Sequence, residues 1–353
     1  MQVLTRAGRG SAVVRATSLL KSIKRKYPGS HITWVTDAPS DQLLRNHPQI
    51  DRVLTSKPED LLTLAALEFD VAFAIDKSPK VSGILRQTKA ELIFGFVTDP
   101  AGGAILPATA AATELWSLGL DNQKKFFINQ KAETQLMVEA FELGTFQRDP
   151  YNLPLTVQEM SERERRHLLW KNTSDVVIGL NTGCSTVIPY KKLSVEFHRQ
   201  LIRSLQSEFR AAIVLLGGPE DTERNQQIAY GMNVIQTATG AGLRDGLVSV
   251  AACDIVVTGD SLGMHMAISQ AKYTIAWFGP TCAQEIDLYE RGEKILSKAP
   301  CAPCWKRVCD KSLMCYDQVS LEEIAAAVRR GIQNCQPEMP MSLSKLPSSE
   351  ICS

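Results

Sequence analysis

Four short runs in the second half of the chain combine glycine with groups that can hold an anion. They are Asn181-Thr182-Gly183, Gly217-Gly218-Pro219-Glu220, the run from Thr258 to His265, and Phe278-Gly279-Pro280-Thr281. Glycine lets a backbone approach a ligand closely. A run that leads into a helix also presents free N–H groups and the positive end of the helix dipole to a phosphate. One such run alone reads more readily as a plain turn between strand and helix; four in one half point to a nucleotide or phosphate ligand. Asp260 and His265 stand five residues apart in the third run. Asp260 is then either a site carboxylate or an N-cap, and His265 either a site imidazole or a satisfied buried histidine. Lys191 falls between a strand-end glycine and a helix, where it can reach a diphosphate as a point charge or stand solvated at the surface.

A second cluster has metal-ligand spacing. Cys301, Cys304, Cys309 and Cys315 place four of the nine cysteines in one short segment. A Cys-x-x-Cys pair presents two sulfurs from one turn, and two later thiols complete a tetrahedron suited to Zn²⁺ or an iron centre. Pro300 and Pro303 bend the chain there, and Lys306, Arg307 and Lys311 offset thiolate charge. The alternatives are two disulfides or free thiols. A structural metal that braces the loop beside the anion site is the expectation. Cys184, Cys253, Cys282, Cys335 and Cys352 are scattered and read as ordinary buried or surface thiols.

Elements of alternating type must position these groups. Strands are expected at 3–5, 31–36, 52–54 and 71–75, with helices at 11–25 and 43–47. Residues 100–154 show no clear pattern, and a charged helix at 156–171 leads into the second half. There strands are expected at 176–180, 211–216, 234–236, 254–258 and 273–278, and helices at 194–205, 220–230, 243–252, 261–271 and 321–332. Near-continuous apolar strands separated by helices form parallel sheets covered on both faces. Ligands of such sheets bind at the carboxyl ends of the strands, where all four runs fall. The length of 353 residues suits two domains. We place them at 1–165 and 166–335, with a flexible Pro/Ser-rich tail at 336–353. A net charge of +1, 44% hydrophobic and 22% charged residues exclude a disordered chain and a nucleic-acid partner held by basic excess. No apolar run approaches the roughly 20 residues of a membrane span, and no signal peptide is visible, so the expected compartment is the cytoplasm. The basic stretch Lys21, Lys24, Arg25 and Lys26 is either a solvated helix end or a peripheral contact with anionic lipid at the inner membrane.

The run Asp260-Ser261-Leu262-Gly263-Met264-His265-Met266-Ala267, followed by Phe278-Gly279-Pro280-Thr281, resembles the signature of glycosyltransferase family 9, the ADP-heptose:lipopolysaccharide heptosyltransferases and their relatives. Leu262 takes the place of the family glycine, Gly263 falls at the next, variable place, and the Asp-to-His spacing is kept. The Gly217 to Glu220 run matches too, as do Lys191, Leu193 and Glu196. The first half is similar more loosely, through Leu19, Lys21, Tyr27-Pro28, Ile32 and Trp34-Val35.

The resemblance implies an α/β GT-B fold: two facing Rossmann-like domains with a central cleft, the donor bound by the second and the acceptor by the first. It implies that Thr186 and Lys191 contact the donor phosphates, that Glu220 or Glu223, beside Gly218, meets the ribose or base, and that Asp260 meets the sugar. Ser261, Leu262 and Gly263 then offer N–H groups to the diphosphate, and His265 supports them. The implied reaction is inverting and uses no catalytic metal, so Lys191 and the helix end stabilise the leaving diphosphate. The partners implied are an ADP-heptose-like nucleotide sugar and a saccharide, lipid-linked or protein acceptor of the cell envelope, as in lipopolysaccharide biosynthesis.

The family's general base is an Asp where this chain has Ser11. A serine hydroxyl is no base near neutral pH without its own activator. Asp37 or Asp76, at strand ends, are the alternative bases. The remaining alternatives are another acceptor geometry, or a catalytically impaired nucleotide-sugar-binding protein. A sugar-nucleotide epimerase of the same fold is a further rival.

Overall fold

The computed structural model describes residues 2–6 as backbone and residues 10–335 in full. The tail at 336–353 and Cys352 lie outside the described residues. The first half contains β1 (Gln2–Arg6), α1 (Gly10–Ala16), α2 (Leu19–Lys26), β2 (His31–Thr36), β3 (Arg52–Thr55), α3 (Pro58–Ala65), β4 (Glu68–Ala74), α4 (Pro79–Gln87), β5 (Lys89–Thr98), β6 (Ile105–Pro107), α5 (Thr113–Ser117) and α6 (Glu133–Ala140); α7 (Val157–Lys171) follows and packs on the second half. The second contains β7 (Val176–Asn181), α8 (Val195–Glu208), β8 (Ala211–Leu216), α9 (Thr222–Ala229), β9 (Ile235–Gln236), α10 (Leu243–Ala251), β10 (Ile255–Gly259), α11 (Leu262–Ser269), β11 (Tyr273–Phe278), β12 (Gly292–Leu296) and α12 (Leu321–Cys335).

Each half builds one doubly wound sheet. The first runs β3-β2-β1-β4-β5-β6 and the second β12-β11-β10-β7-β8-β9. All pairings are parallel except β5 with β6. Strand order reverses between β1 and β4 in one sheet and between β7 and β10 in the other, the two places where such sheets open a crevice. The central strands are apolar on both faces and buried along nearly their whole length, as helices on both sides require. The inner core is continuous between the halves: Val13 and Val14 of α1 belong to the same buried cluster as Met264 and Ala267 of α11. The outer faces keep separate cores, one around Ile178, Leu201 and Val328 and one around Val35, Ala72 and Leu85.

Three expected helices are altered. The helix expected at 11–25 is broken: Thr17 and Ser18 turn their hydroxyls onto the carbonyls of Val14 (2.6 Å) and Arg15 (2.8 Å), and α2 starts afresh at Leu19. Hydroxyl side chains compete with the helix for its own backbone groups. The helix expected at 43–47 is a 3₁₀ turn at Ser40–Leu44. The helix expected at 220–230 opens with a 3₁₀ turn, Pro219–Asp221, so α9 covers only Thr222–Ala229. Strands β5 and β12 were hidden because they sit at or next to sheet edges, where exposed polar residues interrupt the apolar pattern, and β6 because it is only three residues long. Of the basic stretch, Arg25 pairs with Asp149 and Lys26 donates to the Glu142 carbonyl at 2.6 Å. No described helix is long and apolar enough to cross a membrane.

Candidate functional site

Asn181 ends β7 at the switch point of the second sheet, and its side chain ties three loops together. Its Nδ2 donates to the Gly183 carbonyl (3.1 Å), to Thr258 Oγ1 (3.1 Å) and to Ser261 Oγ (2.9 Å). Gly263 is required here: a Cβ at that position would stand 2.5 Å from Asn181 Oδ1. Asp221, buried after β8, does the same for the neighbouring loops. It accepts the Gly218 N–H at 3.0 Å, and a Cβ on Gly183 or Gly217 would collide with its carboxylate or Cβ. Burial pushes the Asp221 carboxyl upward. The four glycine-bearing runs therefore lie side by side, because β8, β7, β10 and β11 are adjacent strands.

Asp260 stands between β10 and the first residue of α11. It does not cap the helix; Ser261 is the N-cap, and its hydroxyl is held by Asn181 instead of the first-turn N–H groups. The Asp260 carboxylate faces Lys191 Nζ at 3.5 Å and His265 Nε2 at 3.8 Å, and the Lys191 and Asp260 side chains are only 16% and 15% exposed. Burial alone would raise the Asp260 carboxyl; Lys191, His265 and Arg15 outweigh it and hold it below the usual range. His265 is fully buried and lies 5.7 Å, ring to ring, from buried Tyr151. Burial, with Arg15 next, lowers its pKa to about 3, so the imidazole is neutral. Arg15 Nη1 donates to His265 Nε2 at 3.3 Å, which leaves the ring proton on Nδ1, an atom with no hydrogen-bond partner among the described residues.

Arg15 is the residue that sequence reasoning missed. It reaches 250 positions along the chain to His265 and pairs through Nε with Glu133 Oε2 at 3.0 Å. Burial works against its charge, and Glu133, Tyr151 and Asp260 restore it. The available signal was an arginine set between the apolar pairs of α1 and the buried Ala16.

Ser11 lies in the first turn of α1, beside Gly10. The Leu262 side chain closes over this point: a Cβ on Gly10 would meet Leu262 Cδ2 at 3.0 Å. Leu262 and Gly10 also line a cavity of about 640 Å³ together with Asp37, Ser56, Lys57 and Lys80. Asp37 Oδ1 accepts from Ser56 Oγ and from Lys80 Nζ, both at 2.7 Å. The cavity lining includes Asp37 and not Asp76, which follows β4. Of the other expected donor residues, Thr186, Glu220 and Glu223 are exposed on the loops and first turn that follow β7 and β8, apart from the buried Lys191–Asp260–His265 group. The Gly218 N–H is turned to Asp221.

The four cysteines gather at one narrow cavity of about 20 Å³, lined also by Tyr190, Gly279 and Pro280. That space is about the size of one water-sized sphere. Burial, then the neighbouring Cys304, Cys309 and Cys301, pushes the Cys315 thiol up to about 11. All four are free thiols, and among the described residues no three His, Cys, Asp or Glu side chains stand ready to hold a metal ion. The segment braces its surroundings: the Cys304 and Trp305 N–H groups donate to the Pro280 carbonyl, at 3.2 and 2.8 Å, and the Cys309 N–H to Tyr190 Oη at 2.9 Å.

Comparison with known proteins follows the same lines. The family model for glycosyltransferase family 9 (heptosyltransferase) matches residues 62–314. No curated protein matches the chain. Among solved structures, a glycosyl transferase family 9 protein from Veillonella parvula DSM 2008 is similar with a TM-score of 0.74 at 17% identity, over 94% of this chain and 97% of that one. The E. coli heptosyltransferase WaaC with ADP gives 0.64 at 17%, over 94% and 100%. The dodecameric iron-containing heptosyltransferase TibC, in complex with ADP-D-beta-D-heptose, gives 0.53 at 10%, over 95% and 77%. The fold these likenesses share is GT-B.

Proposed function

Since this chain belongs to glycosyltransferase family 9, we propose that it is an inverting transferase moving a heptose-like sugar from a nucleoside-diphosphate donor to a saccharide, lipid-linked or protein acceptor of the cell envelope. The observation that carries this reading is the Lys191–Asp260 pair, 3.5 Å apart at the start of α11 on the switch point of the second sheet. In this reading Lys191 and the N–H groups of Ser261, Leu262 and Gly263 hold the diphosphate, and their charge grows in value as the leaving group gains negative charge. Asp260, kept ionised by Lys191, orients the sugar hydroxyls. Neutral His265 accepts from Arg15 Nη1 and so positions the guanidinium without adding charge at the phosphate. Exposed Thr186, Glu220 and Glu223 are free to meet the outer phosphate, ribose and base.

Asp37 is the base we assign. It lines the cavity that also reaches Gly10 and Leu262, and Ser56 and Lys80 fix its carboxylate. An acceptor hydroxyl in that cavity would pass its proton to Asp37 as the sugar–phosphate bond breaks. With a labelled nucleotide-sugar panel, Asp37→Asn should lower transfer by about 100-fold and leave ADP binding intact, the range expected for a general base. An unchanged rate in Asp37→Asn would overturn the assignment. If Ser11→Asp also raises transfer, the base position of α1 is the better one. The leucine over Gly10 favours a second reading, a binding protein without transfer. Donor binding with neither transfer nor hydrolysis in the wild type is its expected signature.

The four-thiol set suits tetrahedral Zn²⁺ or iron, and Cys301, Cys304, Cys309 and Cys315 would hold it as a structural ion. The four thiols line one cavity of about 20 Å³, but no three of them are drawn together, so the segment would have to close around the ion on binding. Elemental analysis should find one equivalent of metal, lost in Cys304→Ser. Metal-free protein with all four thiols reactive to an aromatic disulfide would sink the assignment. The compartment of this reading is the cytoplasm, where thiols stay reduced. Peripheral contact with anionic lipid would use the basic end of α2, where Arg25 and Lys26 already pair with Asp149 and the Glu142 carbonyl.

A further inference from the structure

Trp305 lies between Cys304 and Cys309, and no step proposed above uses it. Its backbone has φ +53°, a left-handed conformation that a bulky residue adopts only where its surroundings enforce it. Those surroundings come from both halves of the molecule. From the second half, the Pro280 carbonyl accepts the Trp305 N–H at 2.8 Å, and Cys282 Sγ accepts the indole N–H at 3.4 Å. From the first half, Lys125 Nζ stands 4.4 Å from the centre of the indole ring. Lys125 itself pairs with Glu285 Oε1 at 3.2 Å, and Gln284 Nε2 donates to the carbonyls of Lys125 and Phe126 at 3.0 and 3.2 Å. A single turn of the first half, Lys124–Ile128, is thus gripped by the 3₁₀ turn Ala283–Glu285 and by the cysteine-bearing segment. Trp305 is 41% exposed, so burial is incomplete and the lysine on its face adds a contact that holds the ring.

The same segment reaches the donor loops. Cys304 and Trp305 hang from Pro280, in the loop after β11, and Cys309 is bonded to the hydroxyl of Tyr190, the neighbour of Lys191. The Lys191 carbonyl is in turn packed so close to Gly259 that a Cβ there would stand 2.1 Å away. Trp305 is therefore linked, through Pro280 on one side and through Cys309 and Tyr190 on the other, to the loop after β11 and to the backbone of Lys191 beside Gly259.

We propose that Trp305 is a positioning residue: it clasps the cysteine-bearing segment against Lys125 and so sets how closely the two halves hold the donor loops. The effect on donor affinity rests on the donor-site reading above; the clasp itself does not. The test uses full-length protein as wild type, Trp305→Ala, Trp305→Phe, Lys125→Ala and the Trp305→Ala/Lys125→Ala double variant. By calorimetry, each alanine variant should weaken ADP binding about 5-fold, the range of a partly desolvated cation–π contact. The double variant should be no weaker than either single, because both remove one contact. Trp305→Phe, which keeps an aromatic face, should restore most of the affinity. A merely structural tryptophan would show additive losses and no rescue, and either result overturns the proposal. Unchanged ADP affinity in Trp305→Ala overturns it as well. If the wild type binds none of ADP, GDP and UDP, the donor reading fails, and small-angle scattering of the free protein decides the clasp. A larger radius of gyration in Trp305→Ala and in Lys125→Ala supports it, and an unchanged radius in both overturns it.

Discussion

Replacing Lys191 with methionine is expected to abolish the stabilisation that ADP gives the wild-type protein and to lower sugar transfer by about 10²–10³-fold, the cost of removing one group aimed at developing charge. Methionine keeps most of the apolar stem and removes the charge, so the loss reports electrostatics and not packing. In the wild type, ADP at about 100 times its dissociation constant adds about 2.7 kcal/mol, several degrees in Tm. Lys191 carries that response because it is the cation at 3.5 Å from Asp260, in a site where both side chains are largely withdrawn from water. There a charge interaction is screened far less than at the surface. The ligand-free variant should also melt lower than the wild type. Among the described residues Asp260 would keep Arg15, which is shared with Glu133, and the Thr281 hydroxyl, while His265 is neutral. Thermal melts of both proteins with and without ADP check this; equal ADP shifts in the two would remove Lys191 from the donor site.

The second large effect concerns acid. His47, His198 and His265 are all buried, and burial lowers their pKa values to about 4, about 4 and about 3. In the unfolded chain each titrates near 6.5. Between pH 6.5 and about 4 the unfolded state therefore binds more protons than the native state, so stability falls as pH falls through that window. Each histidine contributes about 1.4 kcal/mol per pH unit at most, or about 2 kcal/mol at pH 5. Three together approach 6 kcal/mol, comparable with the whole stability of many proteins. Asp221 and Glu285, whose carboxyls burial raises, act in the opposite direction at lower pH and soften the fall. Urea midpoints should drop steeply from pH 7 to pH 5. Among the described residues His198 makes one hydrogen bond, Nδ1 to the Ser194 carbonyl at 2.8 Å, so His198→Gln should flatten the slope by one proton. A flat profile from pH 7 to pH 5 would show that the buried imidazoles accept protons in the folded state.

What was legible in the sequence is local. The strands at 211–216 and 273–278 are found at the expected residues, because apolar runs bounded by glycine carry their own signal. The glycine-bearing runs, Lys191, Asp260 and His265 were legible too, since a parallel sheet sends every strand-end loop to the same edge. The break at Thr17 and Ser18 was not, because apolar spacing continues through it and only the hydroxyl bonds interrupt the helix. Strand β12 carries Glu293 and Lys294 at a sheet edge and hides as a loop.

Other features exist only in the folded molecule. Arg15 bonds a histidine 250 residues away, Leu262 meets Gly10, and Trp305 meets Lys125; none of these pairs shares a period, a turn or a motif. Asp37 and Asp76 were equivalent as strand-end carboxylates, and only the placement of the cavity separates them. Side-chain alternation, caps and turn residues are decided by neighbours within a few positions, and so by sequence. Which buried charge faces which, and what a leucine in place of a glycine closes, depends on how two sheets are packed through a shared core, and the tertiary structure alone decides that.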